Sequence, residues 1–141
     1  MTVEQDLVRV ERLDELVELL DALDEPAYVR FSAGPALDVG HPSIDGESGL
    51  LLPGLSASRL RAEPWWDRPA REWVARKVCQ YAHLARDGRF AWVLTGREVG
   101  RGPDSEPLLA DVVPVARLGE ALLEEADAVY RTAFTPGRMP G

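Results

Sequence analysis

The sequence predicts an α+β fold, a small and mostly antiparallel sheet packed with about three helices. Three observations carry that reading. Apolar residues recur at spacings of three and four in segments near the start, the middle and the end of the chain. Between them lie short runs of alternating or continuous apolar and β-branched character. The two longest such runs are joined by a brief Gly-Pro turn, which suits antiparallel strands better than parallel ones joined through helices.

Each element has its own justification. In "DLVRVERLDELVELLDALDEP", Val10, Leu13, Leu16, Leu19, Leu20 and Leu23 form one stripe among acids and arginines, so a helix is expected there, ending at Pro26. In "AYVRFS", Ala27 to Ser32, Val29 and Phe31 alternate with Tyr28, Arg30 and Ser32, the pattern of a strand. Ala33 to Ser48, "AGPALDVGHPSIDGES", is rich in Gly, Pro, Asp and Ser and reads as a long loop. Connections of this length are often functional or mobile. "GLLLPGLSA" reads as an edge strand or irregular extended segment, because Pro53 removes a donor. A helix is expected after "EPWWDRP", with Asp67 as N-cap, Pro69 in its first turn and Trp73, Val74, Val78, Tyr81, Ala82 and Ala85 on its apolar side. Gly88 in "RDGR" stops it. "FAWVLTG" and "PLLADVVPVARL" are strands, the second disturbed near its end by Pro114. "LGEALLEEADAVYRTAF" places Leu118, Leu122, Ala126, Val129 and Tyr130 on the stripe of a closing helix, and "TPGRMPG" is a flexible tail. One domain over residues 1–134 and a tail over 135–141 are expected.

Composition narrows the function classes. With 141 residues, 45% hydrophobic and 28% charged, the chain can bury a core without staples. It has no apolar run of the roughly 20 residues that a membrane helix requires, and its acidic start does not resemble a signal peptide. A cytoplasmic location without membrane attachment is therefore expected. The net charge of −8 argues against direct nucleic-acid binding, which draws on a cationic surface. The single cysteine permits neither an internal disulfide nor a multi-thiolate zinc site.

The candidate site residues are polar groups in loops. "GRGPDSE" lacks the spacing of a phosphate loop, and Pro107 removes a backbone donor. Either Gly102 and Pro103 make a turn with solvated charges, or Arg101, Asp104 and Glu106 project into a groove, where Glu106 could serve as a base. Asp38, His41, Asp45 and Glu47 bring oxygen ligands and one imidazole together, but not in calcium-loop or zinc spacing, so no metal is expected. Cys79 and His83 share a helix face without a third orienting group, so a catalytic thiol is not expected. The adjacent Trp65 and Trp66 cannot easily both face one core, which makes an exposed one the natural anchor for a ligand ring or protein surface.

Taken together, "YVRFSAGP", "SGLLLPGLSA", "EPWW", "WVARKVCQYAHL" and "AWVLTGREVGRGPDSEPLLADVVPVARL" resemble a family of small actinobacterial proteins classed as a domain of unknown function. The resemblance runs from about Tyr28 to Leu118 and implies no activity, cofactor or catalytic residue. A second analogy is to ADP-ribosyltransferases of the Arg, Ser, Glu type. Arg30, then Ser56 or Ser58, then Glu106 follow in that order. The analogy implies that Arg30 pairs with phosphate, the serine positions the nicotinamide ribose, and Glu106 stabilises an oxocarbenium ion.

The leading expectation is a small binding or regulatory protein without a resident cofactor. Its ligand, a protein or small molecule, would occupy a groove between the Ala33 to Ser48 and Gly100 to Glu106 loops, with Arg30, Asp38, His41, Trp65 and Trp66 near it. The alternative is an ADP-ribosyltransferase-like enzyme acting on a nicotinamide dinucleotide. Convergence of Arg30, a serine of "GLSAS" and Glu106 in one cleft would favour the enzyme.

Overall fold

Alternation along "AYVRFS" organises the molecule, because this strand lies inside the sheet and divides its side chains between two packed faces. The computed structural model describes residues 7–79 and 88–134. Its elements in order are β1 (Val8–Val10), α1 (Leu13–Ala22), β2 (Ala27–Ser32), α2 (Pro35–Asp38), β3 (Leu55–Ser56), β4 (Ser58–Arg59), α3 (Ala70–Cys79), β5 (Phe90–Arg101), β6 (Pro107–Leu118) and α4 (Glu120–Phe134). The six-stranded sheet has the order β1-β6-β5-β2-β4, with β3 also paired to β6. β1 runs parallel to β6, and the other pairings are antiparallel. The fold is α+β, with the mostly antiparallel sheet expected.

The short segment from Leu55 to Arg59 changes partner midway. Leu55 and Ser56 pair with Leu109 and Leu108 of β6, the Ala57 N–H donates to the Pro107 carbonyl at 3.2 Å, and Ser58 and Arg59 then pair with Val29 and Tyr28 of β2. Because β2 also pairs with β5 and β5 with β6, this crossing closes a ring of paired strands. Gly54 permits it: a Cβ there would lie 2.8 Å from the Leu109 carbonyl oxygen, so any side chain would push β3 off β6.

Two apolar clusters follow from the two faces. Val29, Phe31, Ala91, Val93, Ala116 and Leu118 pack with Leu13, Leu16 and Leu20 of α1, Val74 and Val78 of α3, and Leu122 and Ala126 of α4. Tyr28, Trp92, Leu94 and Leu109 pack with Leu55 and Ala57 in the second cluster. Their division matches the period of two in β2 and β5.

Several elements depart from expectation for identifiable reasons. The helix expected across Asp6 to Pro26 is confined to Leu13–Ala22, because Val8–Val10 is taken up by parallel pairing with Ala116 to Leu118. The long loop contains α2, one turn opened by Pro35, and Ile44, which forms an isolated bridge with Leu51 just beyond it. The helix expected to be capped at Asp67 starts at Ala70, beyond Pro69. In β6, by contrast, Pro114 lies opposite Leu94 beside a register shift, in keeping with the disturbance expected near the end of that strand. His83, Tyr81, Ala82, Ala85 and the tail over 135–141 lie outside the described residues.

Candidate functional site

β2 sends Tyr28, Arg30 and Ser32 away from α1, α3 and α4, and Arg30 lies opposite Trp92 of β5. Ser32 is buried, so its hydroxyl must find partners. It accepts from the Trp92 Nε1–H at 3.0 Å and from the Gly34 N–H at 3.1 Å, and donates to Asp38 Oδ2. The φ of Gly34 is 120°, in the region that favours glycine, and this turns the chain into α2. α2 in turn carries Asp38 back over the strand that it has just left.

Asp38 also meets Arg30. The Arg30 Nε–H donates to Asp38 Oδ2 at 2.7 Å, with side-chain exposures of only 19% and 15%, so the pair is largely shielded from water. Arg30 Nη1 donates to the Ser56 carbonyl at 2.8 Å and to Ser56 Oγ at 3.2 Å. The Ser43 hydroxyl donates to Ser56 Oγ at 3.3 Å, while the Ser56 N–H donates to Ser43 Oγ at 3.0 Å. One polar chain therefore runs from Trp92 through Ser32, Asp38, Arg30 and Ser56 to Ser43. Ionic and amide groups in such a chain hold one another in place more firmly than separate pairs would.

Glu106 approaches from the other side. The turn between β5 and β6 is closed by the Ser105 N–H donating to the Gly102 carbonyl and the Gly102 N–H donating to the Glu106 carbonyl, both at 2.9 Å. Ser105 completes it with a φ of 63°, a left-handed conformation that is unfavourable for a residue with a Cβ. The Glu106 carboxylate folds back over this turn and accepts the Asp104 N–H at 3.2 Å. The proximity of β6 to Ser56 and Ala57 then brings Glu106 beside the polar chain.

Arg30, Ser56, Ser58, Asp104 and Glu106 line one groove of about 270 Å³, located where the Leu55 to Arg59 segment changes partner. A second groove of about 410 Å³ shares Ser58, Asp104 and Glu106 and extends to Trp65, Trp73, Arg76, Lys77 and Arg101. The two meet at Glu106. His41 is elsewhere: it is exposed and lines a third groove of about 240 Å³ with Asp38 and Asp111. The loop over Ala33 to Ser48 and the turn ending at Glu106 thus do not face each other across one of these grooves. Asp38 reaches the first groove only through Arg30.

The paired tryptophans take different environments. Trp65 is 67% exposed and meets the edge of Trp73, with centroids 5.7 Å apart. Trp66 is half-buried, packs on Trp73 and Phe134, and donates its Nε1–H to the Pro69 carbonyl at 3.2 Å. Trp66 acts as a bracket for α3 and α4, while Trp65 lines the second groove.

A neighbouring ionic cluster supports β2 and β5. The Tyr28 hydroxyl donates to Glu98 at 2.6 Å, and Arg59 donates to both oxygens of the same carboxylate at 3.0 and 2.8 Å. The Arg59 hydrogen bond holds Glu98 below the usual carboxylate range, whereas burial, then the bond to Glu98, pushes Tyr28 up to about 12. Cys79 is pushed up to about 11, by burial first and then by Asp127, the reverse of thiolate activation. Among the described residues, no three His, Cys, Asp or Glu side chains gather as metal ligands. No helix among them is long and apolar enough to cross a membrane.

Sequence reasoning anticipated Arg30, Asp38, Ser56 and Glu106 as candidates but missed Ser32, Ser43 and Trp92, whose contacts are set by the path of the long loop. It also missed Arg76 and Lys77. The available signal was a pair of adjacent cations, Arg76 and Lys77, directly before the apolar Val78 in an amphipathic helix.

The family model for a family of unknown function (DUF6098) matches residues 3–138. The chain belongs to that family. No curated protein and no solved structure matches it. In this DUF6098 member, the arrangement offers a fixed guanidinium, a hydroxyl whose partners are defined, and a carboxylate at the junction of two open grooves. Such a combination can bind an anionic, hydroxyl-bearing ligand and place a negative charge beside it.

Proposed function

We propose that the groove lined by Arg30, Ser56 and Glu106 is a ligand-binding site, and that its ligand is a nicotinamide dinucleotide handled as in ADP-ribosyl transfer. One observation carries the reading: an arginine on β2, a serine on β3 and a glutamate before β6 line a single groove, despite their separation in sequence. In the proposed reaction, the bond between ribose C1′ and the nicotinamide nitrogen breaks, and the bonding pair leaves with nicotinamide. Glu106 stabilises the positive charge developing on the ribose. An acceptor hydroxyl, or water, forms the new bond to C1′ and releases its proton to solvent water, nicotinamide having left as the neutral base. Ser56 orients the ribose, and Arg30 both holds Ser56 and supplies positive charge at the groove wall.

A second reading, non-catalytic binding, is favoured by a different observation. Arg30 is already matched to Asp38, and Glu106 rests on its own turn, which suits a preformed receptor that does not turn its ligand over.

A thermal-shift titration with nicotinamide dinucleotide, ADP-ribose and nucleotide monophosphates, coupled to detection of free nicotinamide, separates the two. Saturation at about 100 times the dissociation constant stabilises the fold by about 2.7 kcal/mol. The catalytic reading expects nicotinamide release that falls by roughly 100-fold or more in Glu106→Gln. Stabilisation without release supports the receptor. No stabilisation by any of these compounds at millimolar concentration overturns both.

A further inference from the structure

The second groove has a charge pattern that the first does not explain. In a chain of net charge −8, arginines are commonly matched with acids: Arg30 with Asp38, Arg59 with Glu98, Arg68 with Glu72, and Arg71 with Asp14 and Glu125. Arg76 and Lys77 are adjacent on α3 and half-buried, yet neither forms an ion pair with a described carboxylate. Glu72, one turn before Arg76, is held by Arg68 at 2.6 Å.

What the two cations share is an indole. Lys77 Nζ lies 5.1 Å and Arg76 Cζ 5.8 Å from the centre of the Trp73 ring. Burial, followed by the charge of Arg76, lowers the Lys77 pKa against the opposing pull of Glu63 on the same groove, so the lysine is desolvated beside a second cation and only partly offset by a carboxylate. An arriving anion would relieve the remaining repulsion. On the same groove are the exposed Trp65 ring and Arg101, the latter 3.8 Å from a Glu98 oxygen and donating to the Ser105 carbonyl, and a nucleobase stacks well on an exposed aromatic face.

We infer that the second groove is the subsite for a nucleoside diphosphate group, with the base against Trp65 and the phosphates at Lys77, Arg76 and Arg101. This rests on the nucleotide reading of the first groove and extends it. Because the grooves meet at Ser58, Asp104 and Glu106, a dinucleotide would lie across both, its diphosphate end beside α3 and its reacting ribose beside Glu106.

ADP is the probe, since it can fill the second groove without presenting a nicotinamide ribose to the first. Binding is read by tryptophan fluorescence and calorimetry in the full chain, for the wild type, Lys77→Gln, Trp65→Leu and Arg97→Gln. Arg97 is an exposed arginine paired with Asp111 and controls for the general effect of removing one positive charge. Trp65 is exposed and Lys77→Gln retains most of its stem, and the melting temperature of each variant checks that it folds.

The expected result is saturable ADP binding, weakened about tenfold or more by Lys77→Gln and Trp65→Leu and less than twofold by Arg97→Gln. Equal weakening by Arg97→Gln, or no effect of the two groove variants, overturns the inference. Failure here is distinguishable from failure of the reading on which it rests. Lys77-dependent ADP binding without any dinucleotide binding upholds the subsite and removes the first-groove reading. A dinucleotide that binds and is cleaved equally well by wild type, Lys77→Gln and Trp65→Leu does the opposite.

Discussion

The two faces of β2 solve different problems with neighbouring residues. Val29 and Phe31 join α1, α3 and α4 in a cluster built almost wholly from aliphatic side chains. Tyr28, Arg30 and Ser32 face a side where a buried indole, a serine hydroxyl and an ion pair must all satisfy one another. Apolar contacts are non-directional, so the helix face tolerates changes of shape and loses stability in proportion to buried surface. The polar face depends on geometry, and loss of one member leaves another without its partner. The first face holds the sheet up; the second positions Arg30 and Ser56 at the groove.

The largest expected effects test this division directly. Leu122 is fully buried on the helix face, and Leu122→Ala is expected to cost about 3 kcal/mol, measured by urea unfolding. Asp38→Asn removes the charge from a pair that retains slight exposure, and is expected to cost about 2 kcal/mol. The ranking reverses for ligand binding. Below its melting temperature, the Leu122 variant keeps its affinity for the dinucleotide, while the Asp38 variant loses most of it because Arg30 and Ser56 are no longer fixed. Equal effects on binding would erase the distinction between the faces.

How much of this was legible in the sequence follows the range of the interactions. The alternation in "YVRFS" is a local property, and it assigned Val29 and Phe31 to one side and Arg30 to the other. The turn around Pro103 was visible for the same reason. Val8–Val10 was not: the spacing from Val10 to Leu13 fits a helix, and only pairing with Ala116 to Leu118, far along the chain, makes the segment a strand. The Leu55 to Arg59 crossing was hidden likewise, since nothing in "GLSAS" states that Ser56 faces β6 while Ser58 faces β2. Asp38 was noticed as one acid of a possible loop site, but its pairing with Arg30 and Ser32 requires a helical turn opened by Gly34 and Pro35. Adjacent tryptophans were informative because one short stretch cannot bury both rings.

The ionic cluster beside the polar face sharpens the comparison through pH. Glu98 has a lowered folded pKa, caused first by Arg59, so its contribution is present above the unfolded carboxylate value and is lost as pH falls through the folded one. Tyr28 is raised from 10.0 to about 12. The folded state holds that proton more tightly, so stability declines as pH rises across this interval. Glu98→Gln is expected to cost about 1 kcal/mol at neutral pH, to flatten the acid limb of a stability profile and to move the tyrosine titration downward in absorbance. A variant with an unchanged acid limb would mean that the carboxylates governing that limb lie elsewhere.

The smallest effect tests whether precision or stability was favoured at the turn carrying Glu106. Ser105 occupies a left-handed conformation that glycine adopts without the clash of a Cβ. Ser105→Gly is therefore expected to stabilise the fold by about 0.5 to 1 kcal/mol, read as a rise in the urea midpoint. The same change widens the backbone conformations open to the residue before Glu106, so the carboxylate is aimed less tightly at the groove junction. A more stable variant with reduced nicotinamide release would show that the strain at Ser105 serves the position of Glu106. A more stable variant with unchanged release would make that strain incidental and leave Arg30, Ser56 and Asp38 as the part of the groove where geometry matters.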